Sequence, residues 1–195
     1  MRKTVISITL LIFVLIATSA QAAEYSATMV TKSSEGTFKA KIFVKGKWHR
    51  HEQPEAVILF DEETGKTYSI VPADKIYIEM GEDEEGEENQ SILNSPEDLK
   101  MEVGQTISDE DGKIEKLPSE TVGKYRCDVY RHTPQEEDFG PSTIWFSPKL
   151  ETAVKAVSET PMGTITMEYV DIKEGPQDEK LFTIPEGYSK MELNF

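Results

Sequence analysis

The fold class is decided by the stretch Gly36-Thr37-Phe38-Lys39-Ala40-Lys41-Ile42-Phe43-Val44-Lys45-Gly46-Lys47. Four apolar residues, the first Phe38 and the last Val44, alternate with lysines, and only Phe43 interrupts the polar series. Alternation with a period of two is typical of a β-strand that buries one face. The glycine at position 46, between two lysines, marks a turn. The stretch therefore predicts a strand followed by a hairpin.

The same pattern continues through the rest of the chain. Residues 56–60 are apolar on both faces, and an acidic turn ending in Gly65 and Lys66 joins them to the next strand. The further strand candidates are 67–71, 76–80, 122–132, 143–146, 150–159 and 164–172. Short loops of this kind exclude a parallel sheet, which needs crossover connections of about a dozen residues or more. The sequence predicts a mainly β protein built on a large antiparallel sheet, as a sandwich, a barrel or a strongly curved open sheet.

Residues 1–22 have the organisation of a secretory signal peptide. Arg2 and Lys3 precede an uncharged apolar stretch, and Ala20 and Ala22 are the small residues that a signal peptidase reads. The apolar run is shorter than the roughly twenty residues that a membrane-spanning helix needs. We therefore expect cleavage after about Ala22, export from a bacterial cytoplasm to the periplasm or beyond, and a mature domain over residues 23–195 with no stable membrane span.

The mature chain is strongly acidic. Without the leader it has 19 basic and 36 acidic side chains, so its formal charge is −17. Such a charge repels nucleic acids, and no nucleic-acid partner is expected. Six of the acidic residues fall in the segment 81–90, which contains no apolar residue and is predicted to be a surface loop.

No motif for catalysis is found. The sequence lacks a Gly-x-Ser-x-Gly elbow, a phosphate-binding glycine loop and a zinc-protease helix, so the prediction is a protein that is not an enzyme and has no cofactor. His49 and His51 share one side of a strand, with a spacing that can hold a metal, but a site needs further ligands. His132 and Cys127 are distant in sequence, so two solvated histidines and no metal site are predicted. The lone Cys127 is predicted to be a buried structural thiol, with an intermolecular disulfide or a reactive site as alternatives.

Aromatic and apolar residues occur on both faces of several predicted strands. One interpretation is an ordinary two-sided core. The other is a curved sheet with an apolar cavity, since burial of an acyl chain contributes about 0.8 kcal/mol per methylene. The candidate lining residues for such a cavity are Phe43, Trp48, Phe60, Tyr68, Ile78 and Trp145.

Several short motifs resemble those of a known family. They are the stretch 36–50, the apolar segment 57–61, Lys66-Thr67-Tyr68, Tyr77-Ile78-Glu79-Met80 and the ending Lys180-Leu181-Phe182-Thr183-Ile184-Pro185-Glu186-Gly187-Tyr188. Together they resemble the LolA/LolB lipoprotein-carrier superfamily. The segment Gly123-Lys124-Tyr125-Arg126-Cys127, with Ile144-Trp145-Phe146-Ser147-Pro148, is similar to an uncharacterised exported group of that type, a domain-of-unknown-function family.

The resemblance implies an incomplete, half-closed antiparallel β-barrel whose open side is covered by one or two short helices. Residues 95–101 and 178–182 are the candidates for these helices. It also implies a lining that receives acyl chains. Carriers have an arginine where this chain has Gly46, so Arg50 is the nearest candidate for a polar contact with the ligand.

Three functions stay open from the sequence, and one of them is an enzyme or metal protein centred on His49 and His51. Of the other two, the first is a periplasmic, non-catalytic binding protein that holds a lipid, an acyl chain or a lipidated protein in an apolar half-barrel. The alternative is an envelope module for protein–protein interaction or sensing, without a bound lipid, that meets its partner through the acidic loop or a sheet edge.

Overall fold

The computed structural model describes residues 23–80, 100–108, 112–135 and 140–192. All thirteen described strands belong to one open, curved sheet that is not closed into a barrel. They are β1 (Glu24–Ser33), β2 (Gly36–Lys45), β3 (Trp48–Glu52), β4 (Val57–Asp61), β5 (Lys66–Val71), β6 (Ile76–Met80), β7 (Thr106–Ser108), β8 (Gly112–Val122), β9 (Tyr125–Pro134), β10 (Ser142–Ser147), β11 (Thr152–Thr160), β12 (Gly163–Glu174) and β13 (Ser189–Lys190). The predicted mainly β fold with a curved antiparallel sheet is confirmed.

The strand order is β13-β6-β5-β4-β3-β2-β1-β12-β11-β10-β9-β8-β7. Every neighbouring pair is antiparallel except β13 and β6, which are parallel. The strand predictions began at Phe38 and missed β1, although Tyr25, Ala27 and Met29 alternate with polar residues there. Since β1 lies between β2 and β12, it joins the two halves of the sheet.

The predicted turn at Gly46 is present as a two-residue connection between Lys45 and Trp48. Gly46 has a φ angle of 59°, in the left-handed region that glycine adopts without steric cost. A residue with a side chain, such as arginine, would be strained at this position.

Contacts between distant strands show the curvature. Two strands, β11 and β10, separate β12 from β9, so in a flat sheet β12 and β9 would lie about 14 Å apart. The Tyr125 hydroxyl on β9 nevertheless donates to Glu174 Oε1 on β12 over 3.0 Å. Tyr125 and Cys127 also join Tyr25, Ala27 and Ile42 in one buried cluster. The sheet must therefore bend between β12 and β9.

Cys127 is fully buried, as predicted, and its burial raises the pKa of the thiol.

Cross-strand pairs define two faces, because directly opposed residues project to the same side. We call the face that carries Ile42 the front face and the face that carries Phe43 the back face. On β1 and β2 the buried residues lie on the front face, where Ala27 pairs with Ile42 and Tyr25 pairs with Val44. On β4 and β5 the buried residues Val57, Leu59, Asp61 and Ile70 lie on the back face.

The C-terminal segment, which we define as residues 176–190, covers the back face next to β3. It contains the short 3-10 helix Glu179–Phe182, which contacts β3 and buries Phe182. Lys45 Nζ bonds Glu179 Oε1 at 3.0 Å, and β13 then pairs with β6. A covering helix was predicted at 178–182 and is present there as a 3-10 turn. The other predicted helix, 95–101, falls outside the described residues except for its last two, as does the acidic loop 81–90.

Both borders of the described sheet are short or interrupted. β13 has two residues, and β7 has three and pairs only with Lys113, Ile114 and Glu115 of β8. Past Lys116, the outer side of β8 has no partner strand within the described residues, and this stretch contains Pro118 and an irregular register. Proline has no N–H to offer to a further strand.

Candidate functional site

An open groove of about 870 Å³ lies at one end of the front face. Its walls come from the β1–β2 hairpin and the β3–β4 loop. The lining residues are Met29, Thr31, Thr37, Phe38, Lys39, Ala40, Gln53, Pro54 and Glu55. Met29, Phe38, Ala40 and Pro54 make the apolar part, and Lys39 and Glu55 bring the charged groups.

The floor of the groove is continuous with the buried cluster of the front face. Ala40 is a member of that cluster, and its cross-strand partner Met29 packs against it while staying half-buried. Phe38, one step further along β2, is 56% exposed. With Met29 and Pro54, Phe38 extends the apolar surface of the buried cluster into the groove. Apolar burial therefore decreases step by step from Ile42 towards Phe38.

The predicted lining residues divide between the two faces. Phe60 and Ile78 lie on the front face, in the same rows as Val44 and Ile42. Phe43 and Tyr68 lie on the back face, in the row that continues through Arg50 and Leu59. Trp48 is also on the back face, opposite Lys45. These five residues are half-buried, and they do not form one continuous lining.

Trp145 is separated from this group. It lies on β10, and four strands stand between β10 and β3 in the sheet. Its indole Nε1 donates to Glu120 Oε2 over 2.8 Å, and Lys155 Nζ is 4.4 Å from its ring centroid. The polar edge and one face of Trp145 thus have partners within the chain. The role of all six residues in binding stays a prediction.

Arg50 is bound by the chain itself. Its Nη1 donates to the Leu181 carbonyl over 2.8 Å, and its Nε and Nη2 both contact Glu52 Oε1 at 2.8 Å. Only 12% of the side chain is exposed. Arg50 therefore fixes the C-terminal segment to β3. No sequence pattern links it to Leu181, because 131 residues separate the two. Its predicted contact with a ligand stays a prediction.

His49 and His51 share the front face, as predicted. His49 Nε2 lies 2.7 Å from Glu62 Oε1, and its ring is tilted against Phe60 at 6.2 Å between centroids. Burial, with the neighbouring His49 as a smaller cause, lowers the pKa of His51. Across the described ranges, no group of three or more His, Cys, Asp or Glu side chains is placed to hold a metal ion.

The groove residues were only partly visible in the sequence. Phe38 and Ala40 were recognised as members of an alternating strand, but Met29 was missed together with β1. Pro54 was missed as well, because a loop residue has no periodic pattern. The alternation of Tyr25, Ala27, Met29 and Thr31 was the available signal.

Comparison with known proteins gives a likeness of fold. No protein-family model matches the sequence, and no curated protein matches it. An uncharacterised conserved protein from Thermus thermophilus superposes with a TM-score of 0.55 at 7% identity, over 87% of this chain and 90% of that one. The structure of PNGF-II gives a TM-score of 0.51 at 11% identity over 89% of this chain, which spans 31% of that protein. A LolA superfamily protein from Nitrosomonas europaea gives 0.33 at 11% identity, over 85% of this chain and 91% of that one.

Proposed function

We propose that this chain is a non-catalytic binding protein of the bacterial periplasm that holds an acyl chain, of a lipid or a lipidated protein, in the front-face groove. The supporting observation is the groove itself, in which Met29, Phe38 and Ala40 offer apolar surface at the border of the core. Its volume, about 870 Å³, is within the range of small-ligand sites.

Burial of methylenes supplies the driving force for this binding. Each buried methylene contributes about 0.8 kcal/mol, so about ten contribute roughly 8 kcal/mol before the ordering cost, the equivalent of a micromolar dissociation constant. Lys39 and Glu55 also line this groove and are exposed. Lys39 lies opposite Val30 in a back-face row, so its charged group is at the border of the groove and not on its floor. This division, an apolar floor with charged groups beside it, fits an amphiphile with one end left in water.

The proposed location comes from the leader-like residues 1–22, with cleavage after about Ala22. Within the described residues, no helix is long and apolar enough to cross a membrane. A mature chain released into the periplasm would meet lipids and lipidated proteins there.

The test compares two single substitutions of matched exposure. Phe38→Glu places a carboxylate in the groove, while Val103→Glu places one on the loop before β7, and the two side chains are 56% and 58% exposed. A carboxylate in an apolar site must lose hydration, so we expect Phe38→Glu to weaken binding of a fluorescent fatty acid by about tenfold. Val103→Glu should bind like the unmodified protein.

Mass spectrometry of organic extracts, from protein purified without detergent, gives the complementary result. An acyl compound that is present with the unmodified protein and with Val103→Glu, but reduced with Phe38→Glu, supports the proposal. A clean extract together with no binding of the fatty acid contradicts it. The protein-interaction alternative would then be tested by deleting residues 81–90 and comparing the envelope proteins captured with and without that segment.

A further inference from the structure

A second cavity lies at the opposite end of the sheet from the groove. Its volume is about 360 Å³, and it is formed by the β8–β9 turn, the start of β9 and the β10–β11 turn. The lining residues are Lys124, Tyr125, Arg126, Asp128, Pro148 and Lys149. Three of the six are cations, which is unusual for a chain whose mature charge is −17.

The only carboxylate among these six is already satisfied. Asp128 Oδ1 accepts from the Ser119 hydroxyl over 3.1 Å, and its Oδ2 is 3.4 Å from Lys116 Nζ. Glu174, outside the lining, bonds Lys124 and Lys149 at 2.9 and 2.5 Å. The lining residues and these partners contain four cations and two carboxylates. The cavity therefore keeps an excess of two positive charges.

Three groups of the cavity lining, from Lys124, Lys149 and Tyr125, converge on the Glu174 carboxylate beside the cavity. Each lysine has three N–H groups, so the bond to Glu174 leaves both able to bind a second anion. The two ammonium groups also lie 5.2 and 5.9 Å from the centroid of the Tyr125 ring.

The backbone on both sides of the cavity is fixed before any ligand arrives. Gly123, with a φ angle of 59°, forms the tight β8–β9 turn that presents Lys124, and Pro148 has a fixed φ beside Lys149. The shared bond to Glu174 ties both turns to the end of β12. Preorganised donors lose little conformational entropy on binding. Arg126 alternates with the buried Tyr125 and Cys127, so it lines the cavity from the other face of β9, with an exposed guanidinium whose planar fork matches two oxygens of a phosphate.

We propose that this cavity binds a dianionic phosphate group, either free phosphate or the phosphate monoester headgroup of a lipid. The excess of two positive charges matches the charge of a phosphate monoester, about −1.5 to −2 at pH 7. The site is separate from the groove. Thr31 of the groove pairs with Met167, seven residues from Glu174 along β12, which corresponds to about 23 Å.

Calorimetric titration at constant ionic strength tests the site, with inorganic phosphate as the first probe. Vesicles of phosphatidylcholine with and without phosphatidic acid are the second. Arg126→Gln removes an exposed side chain, so the fold is retained, and we expect it to weaken phosphate binding by roughly tenfold. Lys32→Gln is the matched control, since it removes one exposed charge at the groove end of β1.

Binding of inorganic phosphate that Arg126→Gln reduces and Lys32→Gln does not supports the site and identifies free phosphate as sufficient. Binding only to phosphatidic acid vesicles, again reduced by Arg126→Gln alone, supports it and identifies the lipid headgroup. The proposal is overturned by an absence of both interactions at millimolar concentrations, or by equal losses in the two variants. Neither result depends on whether the groove holds an acyl chain.

Discussion

The two ends of the β1–β2 hairpin differ although their sequence pattern is the same. At one end, Ala27 and Ile42 are buried on the front face in a cluster with Leu150 and Val154. At the other end, Met29 is half-buried and Phe38 is 56% exposed beside the groove. Both ends alternate apolar and polar residues. What differs is the cover, because the β10–β11 turn and β11 supply it only at the first end.

This difference shows that an apolar stripe is a necessary but not a sufficient condition for a core. The alternation places Phe38 and Ile42 on one face, yet residues more than a hundred positions away decide which of the two is sealed. In the proposed function, a ligand replaces the missing cover at the unsealed end. Stability should therefore depend on the sealed end, and binding on the open end.

Replacing one side chain by alanine at each end of the hairpin provides the strongest test of this comparison. Ile42→Ala removes a fully buried side chain, and we expect it to lower the free energy of unfolding by about 3 kcal/mol through lost burial and a new cavity. Phe38→Ala should change it by less than about 0.5 kcal/mol, since exposed sites contribute little. Urea unfolding monitored by circular dichroism measures both values. Similar losses for the two variants would show that the groove end is as well covered as the other.

The back face extends the comparison to a region sealed by the chain's own C-terminal segment. Arg50→Ala leaves Glu52 and the Leu181 carbonyl without their donor, so we expect a loss of about 2 kcal/mol in the free energy of unfolding. Hydrogen exchange should also become faster around Leu181 and stay slow around Ile42. Lys41→Ala, an exposed change on the same face, is the control. Unchanged exchange at Leu181 would mean that Arg50 does not hold the segment.

The smallest expected effect concerns Glu174, at the sealed end. The ammonium groups of Lys149 and then Lys124 lower the pKa of its carboxyl from 4.5 to about 2. A lowered folded-state pKa stabilises the protein fully above pH 4.5, and this contribution disappears as the pH falls towards 2. The side chain is 30% exposed, so we expect Glu174→Gln to lower the free energy of unfolding by about 1 kcal/mol at pH 7.

The measurement for Glu174 is a series of urea unfolding curves between pH 7 and pH 2. The difference between Glu174→Gln and the unmodified protein should narrow below pH 4.5. A difference that stays constant across this range would indicate that the ion pairs contribute nothing and that the substitution acts through packing.

The local pattern predicted most of the sheet from β2 to β6. Alternation in β2 and the glycine at position 46 were sufficient to predict the strand and the turn that follows it. The acidic turn before Lys66 was sufficient to predict the β4–β5 hairpin. These features depend on neighbours in sequence. The prediction for β1 failed because its half-polar stripe of Tyr25, Ala27, Met29 and Thr31 is weaker than that of β2.

The candidate site was less predictable, for a long-range reason. Phe43, Trp48 and Tyr68 were grouped with Phe60 and Ile78 as one lining, but their registers place the two sets on opposite faces. Burial also changes from the front face on β2 to the back face on β4, because the C-terminal segment returns over β3. A single strand contains no information about where a distant segment will cover it.

The short and interrupted borders of the sheet have a consequence for the behaviour of the purified protein. A sheet that contains most of the described residues is open to edge-to-edge pairing, since a long unpaired edge strand would bind the same edge of another copy. Within the described residues, the two-residue and three-residue end strands and Pro118 leave few unpaired backbone groups for another copy to bind. Concentrated solutions should therefore stay free of fibrils, and replacing Pro118 by valine is the change that should start their growth.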